Sequence, residues 1–381
     1  MVSIKPYTLL YRFINPLKHI VCGEVKTIFP SGFRSWSSAA GMVKARKFIL
    51  AKHFVGEPKE SDFQLVEEDL PELKNGEVLV EAEWLSVDPY MRPYTMWLPT
   101  GITMIGGQVA RVVRSRDPAV PEGSRVMGYF GWRDRTVVDL SQPNSLPMPD
   151  KPYLLPDFQG LPPSLGVGVL GMPGLTALYG VREVLRPTPG GVVVVSGAAG
   201  AVGSLVGQIA KHAGCKVIGF AGSDAKVRWL KDELGFNEAF NYKSTDVTTA
   251  LKSAAPEGVD CYFDNVGGEM SSAVLNRMNH GGRVAVCGST STYNASGKGR
   301  LPLAPVVQPA LISKELLMEG FTVRRWNDRW LEGVRETLQL VKQGKLKYRE
   351  TVTQGFENMP KAFIGMLRGE NVGKAVVRAK L

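Results

Sequence analysis

The chain has 381 residues and a mass of 41.6 kDa, too long for one small module and the right length for two or three domains of ordinary size. Hydrophobic residues make up 44% and charged residues 22%, a globular balance that excludes the disordered, collagenous and coiled-coil classes. The net charge of +10 is compatible with an anionic ligand, but no zinc-finger spacing, RNP-type aromatic motif or dense basic run accompanies it, so a nucleic-acid partner is not expected.

In chain order, residues 1–41 come first, with Lys5, Arg12, Lys18, Lys26 and Arg34 against the single acid Glu24, and with Ser31, Ser35, Ser37 and Ser38. This composition reads either as an organelle transit segment, giving a mitochondrial location, or as an extension with no fold of its own. From Met42 to about residue 162, short alternating runs at 62–66, 77–87, 107–113, 124–130 and 136–140 are separated by Gly, Pro and Asn turns. They predict an antiparallel β barrel or sandwich. Residues 143–163 are a Pro-rich connector.

The texture then changes. A mainly apolar helix is expected over 166–186, followed by strand 192–196, helix 201–212, strand 216–221, helix 224–234, strand 239–241, helix 247–253, strand 260–264, helix 270–278 and strand 283–287. Repeated βα units imply a parallel, doubly wound sheet with helices on both faces. A helix at 329–343 precedes a tail whose segments 348–352, 359–367 and 373–378 return to short strands and pack back on the first half. The expected organisation is an extension at 1–41, a β domain at 42–165, a doubly wound domain at 166–344 and a return at 345–381. The apolar runs, such as 166–172, are too short and too interrupted by glycine to span a bilayer.

Gly197, Gly200 and Gly203 in GAAGAVG follow the first strand of the βα series and open a helix. A tight turn, close approach of the backbone to a pyrophosphate and close helix packing all require glycine there, and the helix N-terminus holds the anion. A plain strand-to-helix turn would look the same in isolation; its place at the first βα unit favours a dinucleotide site. At the end of the second strand, Asp224 reads equally as a ribose-diol acid or as a helix-capping or first-turn acid. The small residues before it and Lys226 beside it favour NADP over NAD.

The segments KHFVGEP (52–58), DPYMR (88–92), GMPGLTA (171–177), SGAAGAVGS (196–204), FNYK (240–243), YFDNVGGE (262–269), CGSTSTYN (287–294), GFENMPKAF (355–363) and GKAVV (373–377) resemble the prostaglandin reductase branch of the zinc-independent medium-chain dehydrogenase/reductases. The resemblance runs from Met42 to the C-terminus. It implies an α/β protein with a GroES-like β-barrel catalytic domain, a Rossmann NADP-binding domain and a C-terminal return. It implies NADPH held at its pyrophosphate by Gly200, Ala201, Val202 and Gly203, and at its 2′-phosphate by Lys226 and Tyr242. Asn265, Cys287, Gly288, Ser289, Thr290, Ser291, Thr292, Tyr293, Phe321, Thr322, Val323 and the tail residue Asn371 would line the remainder. A homodimer is a further implication.

The implied reaction is NADPH-dependent reduction of the carbon–carbon double bond of an α,β-unsaturated ketone or aldehyde, such as a 15-oxo-prostaglandin or an alkenal. Oxidation of the leukotriene B4 12-hydroxyl is implied by the family alone. Charge develops on the carbonyl oxygen and needs a donor; Tyr293 serves as that donor or only packs on the cofactor, and the ribose hydroxyl is the other source. The resemblance puts Tyr90 and Arg92 near the substrate, Tyr90 lining the pocket and Arg92 either structural or attracting a fatty-acid carboxylate, although Asp88 and Pro89 also read as a helix start. Residues 294–309 read as a substrate lid or a connector. His19, His53, His212 and His280 show no metal-ligand spacing, and His212 and His280 read as helix-end residues. Cys22, Cys215, Cys261 and Cys287 are scattered, so a reducing, cytoplasmic setting is expected. A quinone reductase and a non-enzymatic NADPH-binding protein are the alternative functions.

Overall fold

The computed structural model describes residues 42–144, 150–295 and 303–380, all within one compact unit, Met42–Leu381. Residues 1–41, and 296–302 of the expected lid, lie outside the described residues, and the readings made for them stay with the sequence.

Short strands build the first half. β1 (Lys44–Leu50) and β2 (Phe63–Asp69) pair antiparallel, burying Ala45, Phe48, Leu50 and Phe63. β3 (Val78–Ser86), β4 (Gln108–Ser115), β5 (Arg125–Gly128), β6 (Arg135–Val138) and β7 (Tyr153–Leu154) belong to a seven-stranded mixed sheet. β3 pairs antiparallel with both β4 and β6, and β4 leads through β5 to β7. A one-turn helix, α1 (Met91–Tyr94), follows β3.

The expected helix at 166–186 is broken. A 3-10 turn, Pro163–Val167, leads to α2 (Met172–Tyr179), and a π-helical turn, Gly180–Leu185, follows. The break has a steric cause: a Cβ on Gly174 would lie 1.8 Å from the Val169 carbonyl oxygen, and one on Gly171 would lie 2.1 Å from that of Gly166. The backbone doubles back on itself here, a path a continuous helix does not allow.

The parallel sheet holds β8 (Val192–Val195), β9 (Lys216–Ala221), β10 (Glu238–Asn241), β11 (Val259–Asp264), β12 (Met278–Val286) and β13 (Leu317–Gly320), in the order β10-β9-β8-β11-β12-β13. Numbered within the sheet this is 3-2-1-4-5-6, the dinucleotide-binding order. The crossovers carry α3 (Gly203–His212), α4 (Asp224–Arg228), α5 (Val247–Ala254), α6 (Gly268–Leu275) and α7 (Gln308–Ser313). The helix expected at 224–234 is α4 continued by a π-helical turn, Trp229–Glu233. His212 ends α3 as expected, whereas His280 lies in β12, because α6 stops at Leu275.

After α8 (Trp330–Lys342) the tail forms β14 (Glu350–Gln354), α9 (Met359–Leu367) and β15 (Lys374–Arg378). β15 pairs antiparallel with β3, in register Val376↔Ser86, and β14 lies parallel to β15. The tail thus returns to the first sheet. Segment 359–367 is a helix and not a strand: Pro360 sits in its first turn, where its missing N–H costs nothing, and Phe363 and Ile364 are buried on its inner face. Phe363 lies against Phe54 and Trp132, with ring centroids 6.1 and 5.8 Å away. Among the described residues no helix is long and apolar enough to cross a membrane.

Candidate active site

The turn after β8 is built around absent side chains. Gly197 has φ of +58°, and a Cβ on Gly203 would lie 2.4 Å from the Gly197 carbonyl oxygen and 2.8 Å from the Ala198 Cα. Glycine lets α3 begin against the strand end, where the first N–H groups of a helix have no partner within it and attract an anion. These residues therefore fit the pyrophosphate of a dinucleotide.

The turn opens into a cleft of about 660 Å³. Gly200, Ala201, Val202 and Gly203 line one wall, with Lys226 and Tyr242 at its end. Asn265, Cys287, Gly288, Thr290, Ser291 and Tyr293 come from the carboxyl ends of β11 and β12, where open α/β sheets bind their ligands. Phe321, Thr322 and Val323 follow β13, Tyr90 comes from the start of α1, and Asn371 comes from the tail. The fold thus brings these expected residues together.

Three expected residues stand apart from the cleft. Ser289 faces a neighbouring hollow with Asp150 and Arg324, and the Thr292 hydroxyl donates to the Ser289 carbonyl at 2.9 Å. Arg92 is fully buried and points away, donating to the Gly56 carbonyl at 2.9 Å and lying over the Phe54 ring at 5.2 Å. Its side chain ties α1 to the 54–56 segment.

At the strand end, Ser223 caps α4 by accepting from the Lys226 N–H at 3.4 Å. Asp224 accepts from Asn241 Nδ2 at 2.8 Å, as a first-turn acid. The Lys226 ammonium donates to the Gly369 carbonyl at 2.6 Å, joining the cleft to the tail. Burial first, and Lys243 second, lower its pKa, so a bound dianion would relieve the repulsion between these two cations.

The Tyr293 hydroxyl accepts from the Ser289 N–H at 3.3 Å. That contact uses a lone pair and leaves the phenol proton available to a ligand. Burial raises its pKa, which keeps the proton on. The Tyr90 hydroxyl is buried with no hydrogen-bond partner among the described residues, and burial holds its pKa well above the ordinary phenol value. An unpartnered buried hydroxyl on a cleft wall is a ready donor to a ligand oxygen.

Burial pushes the thiols of Cys261 and Cys287 up to about 12, leaving neither as a thiolate nucleophile. Among the described residues no three His, Cys, Asp or Glu side chains are grouped to hold a metal ion.

Two acids have roles that the sequence did not announce. Asp264, 1% exposed, accepts from the hydroxyls of Tyr262 (2.8 Å) and Ser271 (2.5 Å) and from the N–H groups of Val266 (3.0 Å) and Gly267 (2.8 Å), fixing the turn after β11. An acid ending a buried strand in YFDNVGGE was the available signal. Asp88 does not cap α1, whose first flanking residue is Tyr90; it pairs with the buried Lys374 at 3.1 Å.

Two family profiles match the chain, the N-terminal domain of oxidoreductase over residues 46–146 and zinc-binding dehydrogenase over residues 201–340. Prostaglandin reductase 1 of Bos taurus is 50% identical over 341 residues, covering 89% of this chain and all of that protein. The NADP+-dependent 2-alkenal reductase of Nicotiana tabacum is 40% identical, covering 88% of this chain and 97% of the relative. The crystal structure of CurA from Vibrio vulnificus in complex with NADPH superposes with a TM-score of 0.80 at 38% identity, over 88% of this chain and 99% of the other. With identity of this extent over both parts and a 3-2-1-4-5-6 sheet, the chain belongs to the zinc-independent medium-chain dehydrogenase/reductase family, in its prostaglandin reductase branch.

Proposed function

We propose that this protein is an NADPH-dependent reductase of the carbon–carbon double bond of α,β-unsaturated ketones and aldehydes, with 15-oxo-prostaglandins and alkenals as its substrate class. The observation that carries this reading is one cleft with a glycine turn and Lys226 at one end and two proton-bearing phenols, Tyr293 and Tyr90, in its walls. The names of the relatives support it, one being a prostaglandin reductase and another a 2-alkenal reductase.

In this reading Gly200–Gly203 hold the pyrophosphate, Lys226 and Tyr242 hold the 2′-phosphate, and Asn265, Cys287, Gly288, Thr290, Ser291, Tyr293, Phe321–Val323 and Asn371 surround the remainder. NADPH held by these residues would supply the hydride that the β-carbon of the enone takes up. As the double-bond electrons move to the carbonyl oxygen, the Tyr293 hydroxyl donates a hydrogen bond to it, and the Ser289 N–H on the phenol oxygen polarises that donor. A proton from water then completes the α-carbon, giving the saturated carbonyl. Tyr90 holds the substrate, and Arg92 supports α1 from behind.

The domain limits 42–165, 166–344 and 345–381 are proposed with this reading. So are a cytoplasmic setting, supported by the free thiols of Cys215, Cys261 and Cys287, and a homodimer. The test follows nicotinamide absorbance with a 15-oxo-prostaglandin or 4-hydroxynonenal, beside NADH and a quinone. Equimolar loss of NADPH and enone with a saturated product is expected. Turnover of the quinone alone would replace the reading with a quinone reductase. Tyr293→Phe is expected to lower kcat about 100-fold or more, the cost of losing one well-aimed donor; unchanged kcat would assign the carbonyl oxygen to the ribose hydroxyl.

A further inference from the structure

Two consecutive tail residues reach two turns that lie far apart in the chain. Gly373 forms a parallel bridge with Gly200, and its N–H donates to the Ala199 carbonyl at 2.9 Å. Its φ is +68°, and a Cβ would lie 2.0 Å from the Arg349 carbonyl oxygen, so only glycine passes between these strands. Lys374 turns the other way. It is 5% exposed, and its ammonium donates to the carbonyls of Val87 (2.8 Å) and Ala375 (2.7 Å) and lies 3.1 Å from Asp88 Oδ1. Asp88 is buried too and also accepts from the Ser86 hydroxyl.

Two of the ammonium's N–H bonds go to these carbonyls, and the Asp88 carboxylate balances its charge. The ammonium is thus tied to the protein, although Lys374 lines the cleft. Its charge holds the start of β15 against Val87 and Asp88, two residues ahead of Tyr90. The residue before it holds the glycine turn.

We propose that Lys374 is a positioning residue for the reduction, setting the spacing between the turn that binds the cofactor and the turn that presents Tyr90 to the substrate. The inference rests on the reductase reading above. Neither turn touches the other directly through this link; each is fixed to residues 373–374, so a shift of the ammonium moves the Tyr90 turn relative to Gly200. Hydride transfer is sensitive to such a shift, a 1 Å misplacement costing about 100-fold.

Removing Lys374 alone would leave the Asp88 carboxylate buried and unpaired, which by itself threatens the fold. The test therefore uses Asp88→Asn with Lys374→Met, which removes both charges, and Lys374→Arg, which keeps the charge and changes the reach. For each, the full-length protein is assayed for its melting temperature, the KM for NADPH, kcat with an enone, and the primary isotope effect with deuterated NADPH. Retained melting, an NADPH KM within about twofold of wild type, kcat reduced at least about tenfold and a larger isotope effect are expected, the pattern of misplaced reactants. Wild-type kcat in either folded variant would overturn the proposal, as would parallel loss of NADPH binding and kcat with an unchanged isotope effect. Wild-type protein without enone turnover would overturn the reductase reading itself, a result separate from an unimpaired variant.

Discussion

Lys226 has two partners to choose between, the Gly369 carbonyl it holds at 2.6 Å and the phosphate that the proposed function places there. A neutral carbonyl is the weaker acceptor, and Lys243 adds repulsion. Lys226→Ala is therefore expected to raise the KM for NADPH much more than that for NADH, by about 1.5 to 3 kcal/mol, roughly tenfold to 150-fold. Equal losses for both cofactors would show that Lys226 serves only to hold the tail. A second residue reports on pH. One carboxylate oxygen of Glu350 accepts from the Ser164 hydroxyl at 2.8 Å and the other is buried without a hydrogen-bond partner among the described residues. Burial raises its pKa above the ordinary carboxylate value, outweighing the lowering effects of the Ser164 bond and of nearby Lys374. The folded chain thus binds this proton more tightly than the unfolded chain. That contribution to stability is full below the unfolded value and is lost as pH rises through the folded one. Glu350→Gln is expected to melt higher than wild type at pH about 8, with the difference shrinking toward pH about 5; a variant that melts lower at the higher pH contradicts this.

Elements were legible in proportion to how far local pattern decides them. The run VVVV at 192–195, buried from Val193 onward, could only be a central strand once βα units followed it. Segment 359–367 lacks such a context: its apolar residues suit either period, and what selects the helix is the aromatic pocket of Phe54, Phe63 and Trp132 that receives Phe363. β13 was missed because LMEG has no strand pattern; it is a strand because Val284 and its neighbours offer an open ladder. At 166–186 composition suggests one helix, and backbone-to-backbone approach at Gly171 and Gly174 forbids it. The same kind of close approach makes α3 testable. Gly203→Ala puts a methyl 2.4 Å from a backbone oxygen that has no flexible end to yield, so the helix must move off the strand. A loss of about 1 to 3 kcal/mol in denaturant unfolding is expected, with weaker NADPH binding; an alanine variant of wild-type stability and affinity would mean that the turn relaxes freely.

At the scale of the whole molecule, the fold class and most cleft residues were legible because motifs such as SGAAGAVGS and CGSTSTYN sit at strand ends. The Asp88–Lys374 pair was not, since its members come from opposite ends of the described chain, and nothing local announces such a partner. Arg92 shows the reverse: a cation next to a site motif reads as a carboxylate-binding or a structural group, and the packing turns it toward Gly56. The edge of the parallel sheet raises the remaining question of assembly. β13 pairs on one side with β12 and ends the sheet on the other. Leu317 and Met318 on it are 46% and 40% exposed, and Ile312 on α7 is 78% exposed. An open edge carrying apolar side chains is a template for another strand, and a second copy of β13 running antiparallel about a two-fold axis would cover both edges with one contact. If that pairing forms, the protein is expected to sediment at about twice its 41.6 kDa. Met318→Lys places a charge in that contact and is expected to shift the protein to monomer at micromolar concentration without lowering its melting by more than about 1 kcal/mol, the ordinary range for an exposed position. Because Phe321–Val323 follow β13 directly into the cleft, the monomer is also expected to turn over enone more slowly. Wild-type protein sedimenting as a single chain, or a Met318→Lys variant that remains dimeric, would move the interface elsewhere or remove it.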